Sequence, residues 1–249
     1  MSKEINVYWA ADFTDKDDDW SMMYPKPKTL FSELISKRVN IGDKASIFSC
    51  PAVSNKFKKT LVLNNTINCK YEFDITNNNN IINPTTDEYI YASFKRIPAI
   101  NYGPLIQFSL GYLFFADQPL EIDVSAPTFH EPRYIKYGTV VPGGFDIGQW
   151  CRPVNFELQA WKNKGEIVLE DGEPLMYINF KTDKKINLYR FNHSDATIKY
   201  VKSNITSQIL FGPGQSLLNR YKKFNNAGLR EKILTEIKHN LIDEDPYTF

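Results

Sequence analysis

Cys151 is the residue whose type and neighbours come nearest to covalent chemistry. It stands in GGFDIGQWCRPVNFEL, residues 143 to 158, between Trp150 and Arg152 and just ahead of Pro153. A nucleophilic cysteine needs a lowered pKa, supplied by a histidine, a cation or a helix N-terminus. In a strand, however, Arg152 points to the face opposite Cys151. The spacing therefore predicts a core corner, with Cys151 buried on one face and Arg152 stacked on Trp150 on the other. Arg133, Asp146, Trp150, Arg152 and His193 are the candidate ligand or interface residues, to be tested by whether a pocket gathers them. No residue is assigned as catalytic, and no metal ligand or cofactor is expected.

Other constellations fall short of a site. In DKDDD, residues 15 to 19, Asp15, Asp17 and Asp19 have the spacing that opens a calcium loop, but Trp20 stands where that loop needs glycine and Lys26 where it needs glutamate. The segment reads as a solvated acidic turn. FGPGQS, residues 211 to 216, has two glycines without the Lys-Ser/Thr of a phosphate loop. Arg220, Lys222 and Lys223 with Tyr221 and Phe224 mix bases and aromatics, but at helical spacing the rings face a core. Three cysteines and three histidines without a Cys-x-x-Cys pair do not make a zinc site. His193 and Asp195 match the His-x-Asp pair of iron and 2-oxoglutarate oxygenases. The only downstream histidine, His239, falls in TEIKHNLI, a predicted helix, whereas that family takes its distal histidine from a strand. HSD reads instead as a polar turn capping the segment that follows.

The elements that must position these residues are mostly strands. A chain of 249 residues, 42% hydrophobic and 14% aromatic, can bury a substantial core. Its formal net charge of +1 gives no chain-wide reason to expect a nucleic-acid partner. The odd, widely spaced cysteines Cys50, Cys69 and Cys151 suit thiols in a reducing compartment. The start has no signal-peptide pattern, and no run of about 18 apolar residues predicts a membrane helix. The chain thus reads as soluble and intracellular.

Short apolar runs from Ala45 to Phe180 predict strands at ASIFSC, KTLVLNN, CKYEFDI, YIYASF, LIQFSLGYLFFA, LEIDVSA, GTVVPG, VNFELQAW, EIVLEDG and PLMYINF, with KKINLYRF beyond them. TNNNNIINPTTDE, residues 76 to 88, lacks an apolar period and reads as an exposed loop. Leu30, Leu34 and Ile35 predict a short helix, and Leu229, Ile233, Leu234, Ile237 and Leu241 a C-terminal one. The expected fold class is mainly β, a sandwich, jelly-roll or β-clip-like core with helical N- and C-terminal elements. Residues 1–44 form the N-terminal strand and helix packed on a core of residues 45–195, and residues 196–249 a helical extension.

FSLGYLFFADQPLEIDVSAP, GTVVPGGFDIGQWCRPVNFEL and IVLEDGEPLMYINF together resemble an uncharacterised family of marine tailed phages and some bacteria. The shared pattern is a tyrosine-leucine-phenylalanine strand, a Trp-x-Arg-Pro turn and a Gly-Glu/Asp-Pro turn, clearest over residues 108 to 180. The resemblance implies a viral or mobile-element origin and no activity. The order of strands and turns is also distantly similar to the dUTPase and dCTP-deaminase β-clip fold. There the Arg-Ser-Ser phosphate motif is replaced by Ala126-Pro127-Thr128, and the water-activating aspartate is missing around Val140 to Gly143, so fold carries over and catalysis does not.

The sequence expectation is therefore a phage-encoded binding, assembly or structural module. Its partner is a protein, either a second copy or another phage or host protein, with no membrane role. Its location is the host cytoplasm or the virion. The alternative is an enzyme on the same scaffold, with nucleotide chemistry ahead of oxygenase chemistry.

Overall fold

The computed structural model describes residues 3–11, 24–36, 47–74, 81–84, 92–95, 103–205, 219, 222 and 228–249. In chain order its elements are β1 (Glu4–Ala11), β2 (Lys28–Thr29), α1 (Leu30–Ser36), α2 (Pro51–Lys58), β3 (Thr60–Asn64), β4 (Cys69–Asp74), β5 (Ile81–Pro84), β6 (Ala92–Lys95), β7 (Leu105–Ala116), β8 (Glu121–Ser125), β9 (Gly138–Val140), β10 (Gly143–Asp146), β11 (Pro153–Ala160), β12 (Lys164–Leu169), β13 (Pro174–Phe180), β14 (Lys185–Arg190), α3 (Asp195–Ile205), α4 (Leu229–His239) and β15 (Tyr247–Thr248). The fold is mainly β with helices towards both ends of the chain, as the patterning predicts.

The strands form three sheets. The largest runs β15-β14-β1-β7-β11-β9, with β6 also paired to β7; the second runs β10-β8-β13-β3-β2, and the third β12-β4-β5. Residues from all three share one core: Trp9, Phe108 and Phe114 from the first, Leu61, Ile122 and Ile178 from the second, and Tyr71, Phe73 and Ile167 from the third. The N-terminal strand is built into this architecture. β1 lies between β7 and β14, parallel to β14 from Glu4 to Trp9 and antiparallel to β7.

β7 explains why a twelve-residue apolar run is needed. Tyr112 and Phe114 enter the inter-sheet core, whereas Leu113 and Phe115 face a second cluster with Tyr8, Ala10, Cys151, Phe191, Val201, Ile233, Leu234 and Ile237. Both faces of the strand are covered, the condition under which alternation disappears from a sequence. Phe114 and Phe115 are fully buried, as predicted. Gly111 has φ +70 in the middle of β7, a value that suits glycine, between the stretch paired to β6 and the stretch paired to β1.

The helices cover the outer faces of two sheets. α4 buries Ile233, Leu234 and Ile237 on the largest sheet, at the predicted spacing. α3 starts at a reciprocal cap: Thr197 N–H donates to Ser194 Oγ (3.2 Å) and Ser194 N–H to Thr197 Oγ1 (2.8 Å), as the reading of HSD as a capping turn expects. On the second sheet, Leu30 from α1 and Phe57 from α2 pack over Val62 and Tyr177.

Four local expectations differ from the structure. ASIFSC is a 3-10 turn at Ile47–Ser49 leading into α2, because Pro51 at the first helical turn has a φ ready for a helix and no N–H to lose. Within the stretch read as loop, Ile81–Pro84 is strand β5, paired to β4; the residues on either side of it fall outside the described set. Gly143–Asp146 is strand β10, paired to β8, although the predicted strand GTVVPG ends at Gly143. The Gly172-Glu173-Pro174 turn, where glycine's access to positive φ and proline's missing N–H predict a reversal that sets the register of the flanking strands, does not align two paired strands, since β12 pairs with β4 and β13 with β3 and β8. It carries the chain from one sheet to another, with Gly172 at φ +75 as predicted. Leu175, Met176, Tyr177 and Ile178 are all buried, so a slip in β13 would not exchange a wet face for a dry one.

Candidate functional site

The five residues singled out from the sequence occupy separate structural posts. Asp146 holds a turn together: Oδ1 accepts from Leu120 N–H (2.9 Å) and Gly148 N–H (2.8 Å), and Oδ2 from the Gln149 side chain (2.8 Å). Arg133 pairs with Glu170 at 2.5 Å, and its main-chain N–H donates to the Glu173 carboxylate. Arg152 lies over the Trp150 ring, 6.0 Å from its centroid, as expected. Both Trp150 and Cys151 are buried, however, because residues 150 to 152 precede β11 and are not themselves a strand, so strict alternation does not apply. Cys151 packs beneath α3 and α4 against Leu113 and Phe115.

His193 sits against Phe191 with its Nδ1 3.3 Å from Thr197 Oγ1. Burial pushes its pKa down to about 4, partly offset by the nearby Ala11 backbone, so the ring is neutral near pH 7. His239 lies in the last turn of α4, as the sequence predicts. Among the described residues no three His, Cys, Asp or Glu side chains gather as a metal-holding group. The acidic turn at residues 15–19, the glycine turn at 211–216 and most of the basic-aromatic cluster near residue 222 lie outside the described residues.

Three groups that the sequence did not single out do come together. His130 Nδ1 is 2.6 Å from Tyr177 Oη, and Phe129 N–H donates to the same oxygen at 3.2 Å. On the far side of the ring, His130 Nε2 lies 3.2 Å from Glu33 Oε1, close enough for charge attraction without the alignment of a hydrogen bond. A carboxylate, an imidazole and a hydroxyl in series is the order of a nucleophile relay. Here the hydroxyl is sealed, with Tyr177 only 3% exposed, and burial raises the phenol's pKa, keeping it protonated. The series fastens α1 and the segment after β8 to β13. Its members lie far apart in sequence, and FHEPR around His130 has no spacing signal.

Arg230 is the other functional-looking side chain with a structural post. Its guanidinium donates to the carbonyls of Gly148 (2.9 Å) and Asp117 and to Glu231 (2.6 Å), so it ties α4 to the end of β7 and to the turn that Asp146 holds.

Two exposed surfaces stand out among the described residues. One is an aromatic knob: Trp161 is 51% exposed and Ile135 41%, and the indole N–H donates to the Ile135 carbonyl at 3.2 Å. The other is a cleft of about 990 Å3 where the end of α2 and the start of β3 face β8, the β9–β10 link and the end of β13. Neither contains Asp146, Arg152 or His193.

Among the described residues, fold and surfaces define a β-sheet protein with polar turns, one sealed carboxylate–imidazole–hydroxyl series and two prominent exposed surfaces. No protein-family model matches the sequence, and no curated protein matches it.

Proposed function

We propose that this chain is a phage-encoded binding or assembly module, without catalysis, whose partner is a protein. The observation that carries the reading is the Trp161 knob. Its indole is held in place by the bond to Ile135 while about half of the residue stays exposed, and a held, exposed tryptophan beside an aliphatic side chain is the usual anchor of a protein interface. Phage origin is drawn from the resemblance of residues 108 to 180 and places the module in the virion or the host cytoplasm. No helix is long and apolar enough to cross a membrane among the described residues.

The test is sedimentation of the purified chain over a range of concentrations, beside Trp161→Ala. Association that the substitution abolishes while melting stays unchanged supports a second copy as the partner. A monomeric chain at all concentrations moves the reading to a phage or host protein, to be sought by cross-linking through residue 161.

Nucleotide chemistry is the second reading. Its support is that Ser125, next to Ala126-Pro127-Thr128, and Pro142 and Gly143, within the stretch Val140 to Gly143, line the cleft. Pyrophosphate release from dUTP or dCTP with magnesium, above a buffer control, would replace the first reading with this one.

A further inference from the structure

The cleft's charges do not balance. Its lining holds Lys56, Lys58, Lys59 and Lys181 against Asp123 and Asp183. Lys181 pairs with Asp123. The Lys59 ammonium donates to the main-chain oxygens of Lys184 (2.6 Å) and Phe249 (3.1 Å) and feels the charge of Asp183. Lys56 and Lys58 then remain, both exposed in the last turn of α2 and neither in an ion pair among the described residues. Lys58 is steadied over the Phe31 ring, 5.0 Å from its centroid. Two lysines of the cleft wall without an ion pair among the described residues match a dianion.

The types of side chain narrow the ligand. Lysine binds phosphate as a point charge, and the lining holds no arginine fork of the kind that grips carboxylate or phosphate bidentately. Thr60, Asn179 and Ser125 form a cross-strand chain of polar groups on the cleft floor, with Thr60 Oγ1 donating to Asn179 Oδ1 (2.7 Å) and Asn179 Nδ2 to Ser125 Oγ (3.1 Å). Phe180 is the lining's one aromatic residue and is buried, so no ring face is offered to a nucleobase. The volume is at the upper end for a small-molecule site. A long polyanion would need a basic track beyond the cleft, and the chain's net charge is +1.

We propose that this cleft binds a small molecule carrying a phosphate dianion on a hydroxylated body, a sugar phosphate in kind, with Lys56 and Lys58 as the anion's partners. The site is distinct from the Trp161 knob and does not depend on the protein-binding reading.

The experiment is calorimetric titration of the whole chain with glucose 6-phosphate, with inorganic phosphate, with glucose and with dUMP, all at matched ionic strength. Glucose 6-phosphate should bind more tightly than inorganic phosphate, and glucose should not bind. Lys56→Gln/Lys58→Gln should weaken glucose 6-phosphate by about tenfold or more. These lysines also complement the helix C-terminus, so melting is followed in parallel. A second variant acts from the opposite wall. At Gly143 an added Cβ meets nothing within 4 Å and φ is not positive, so Gly143→Val should narrow the rim without strain and weaken the same ligand. No binding of glucose 6-phosphate, or equal affinity in wild type and both variants, overturns the proposal. Tighter binding of dUMP than of glucose 6-phosphate overturns the sugar phosphate and returns the cleft to nucleotides.

Discussion

The two pairs of helices cover two sheets in different ways. α3 and α4 lie on the largest sheet, with Val201, Ile233, Leu234 and Ile237 packed over a dry patch of Leu113, Phe115, Cys151 and Phe191 and the polar group Arg230 at its margin. α1 and α2 lie on the second sheet through a smaller apolar contact, Leu30 and Phe57 on Val62 and Tyr177, beside the Glu33–His130–Tyr177 series and next to the open cleft. The first cover gains its stability from area removed from water and tolerates no gap. The second relies on a few directed polar contacts and leaves space beside them. A closed apolar cover makes a scaffold, and a partial polar one makes room for a ligand.

That contrast can be broken most forcefully at Phe115. Phe115→Ala opens a cavity beneath α3 and α4 and should cost about 3 to 5 kcal/mol in denaturant unfolding. A loss under about 1 kcal/mol would mean that the helices rest loosely on the sheet.

His193, at the edge of the dry cover, gives a pH-dependent counterpart. Its folded pKa, about 4, is below the unfolded value, so the unfolded chain binds more protons between the two. The neutral ring's contribution is fully present above about pH 6.5 and is lost as pH falls through about 4, on the order of 3 kcal/mol. His193→Gln should flatten this part of the stability profile, measured by urea unfolding at stepped pH. A profile as steep as wild type would assign the acid sensitivity elsewhere.

Under the second cover, Tyr177→Phe removes the oxygen that Phe129 N–H and His130 share, and should cost about 1 to 3 kcal/mol while leaving the fold intact. Because α1 is fastened through this oxygen, its amides should exchange faster in the variant. Unchanged exchange would show that apolar packing alone holds α1.

The smallest effect is a matter of access. Cys50, exposed beside α2, should react with a thiol reagent in the native protein, while Cys69 and Cys151 should react only after unfolding. Early labelling of Cys151 would show that the α3 and α4 cover opens.

Much of the scaffold was legible without coordinates. Residues 105 to 116 announced a strand buried on both faces, Leu229 to Ile237 a helix face, and Gly172 a turn at positive φ, because each signal comes from neighbouring residues and local backbone sterics. Trp150 and Arg152 were also read correctly as a stacked pair. The helix after Cys50 and strand β5 were not read, since apolar content over a few residues does not separate a helix from a strand, and pairing with β4 decides the latter.

The candidate sites were hardly legible. Lys56, Lys58 and Lys59 stand together in NKFKK, but Asp123, Gly143 and Asn179 come from strands that only the order β10-β8-β13-β3 makes neighbours. Glu33, His130 and Tyr177 are likewise joined across long stretches of chain. Sequence by itself determined the β class, the helix faces and the burial of Cys151, because periodicity and turn chemistry act locally. Which polar groups meet, and which surfaces stay open, was decided by tertiary structure, because charge attraction and hydrogen bonding depend on distances that only strand order and helix docking set.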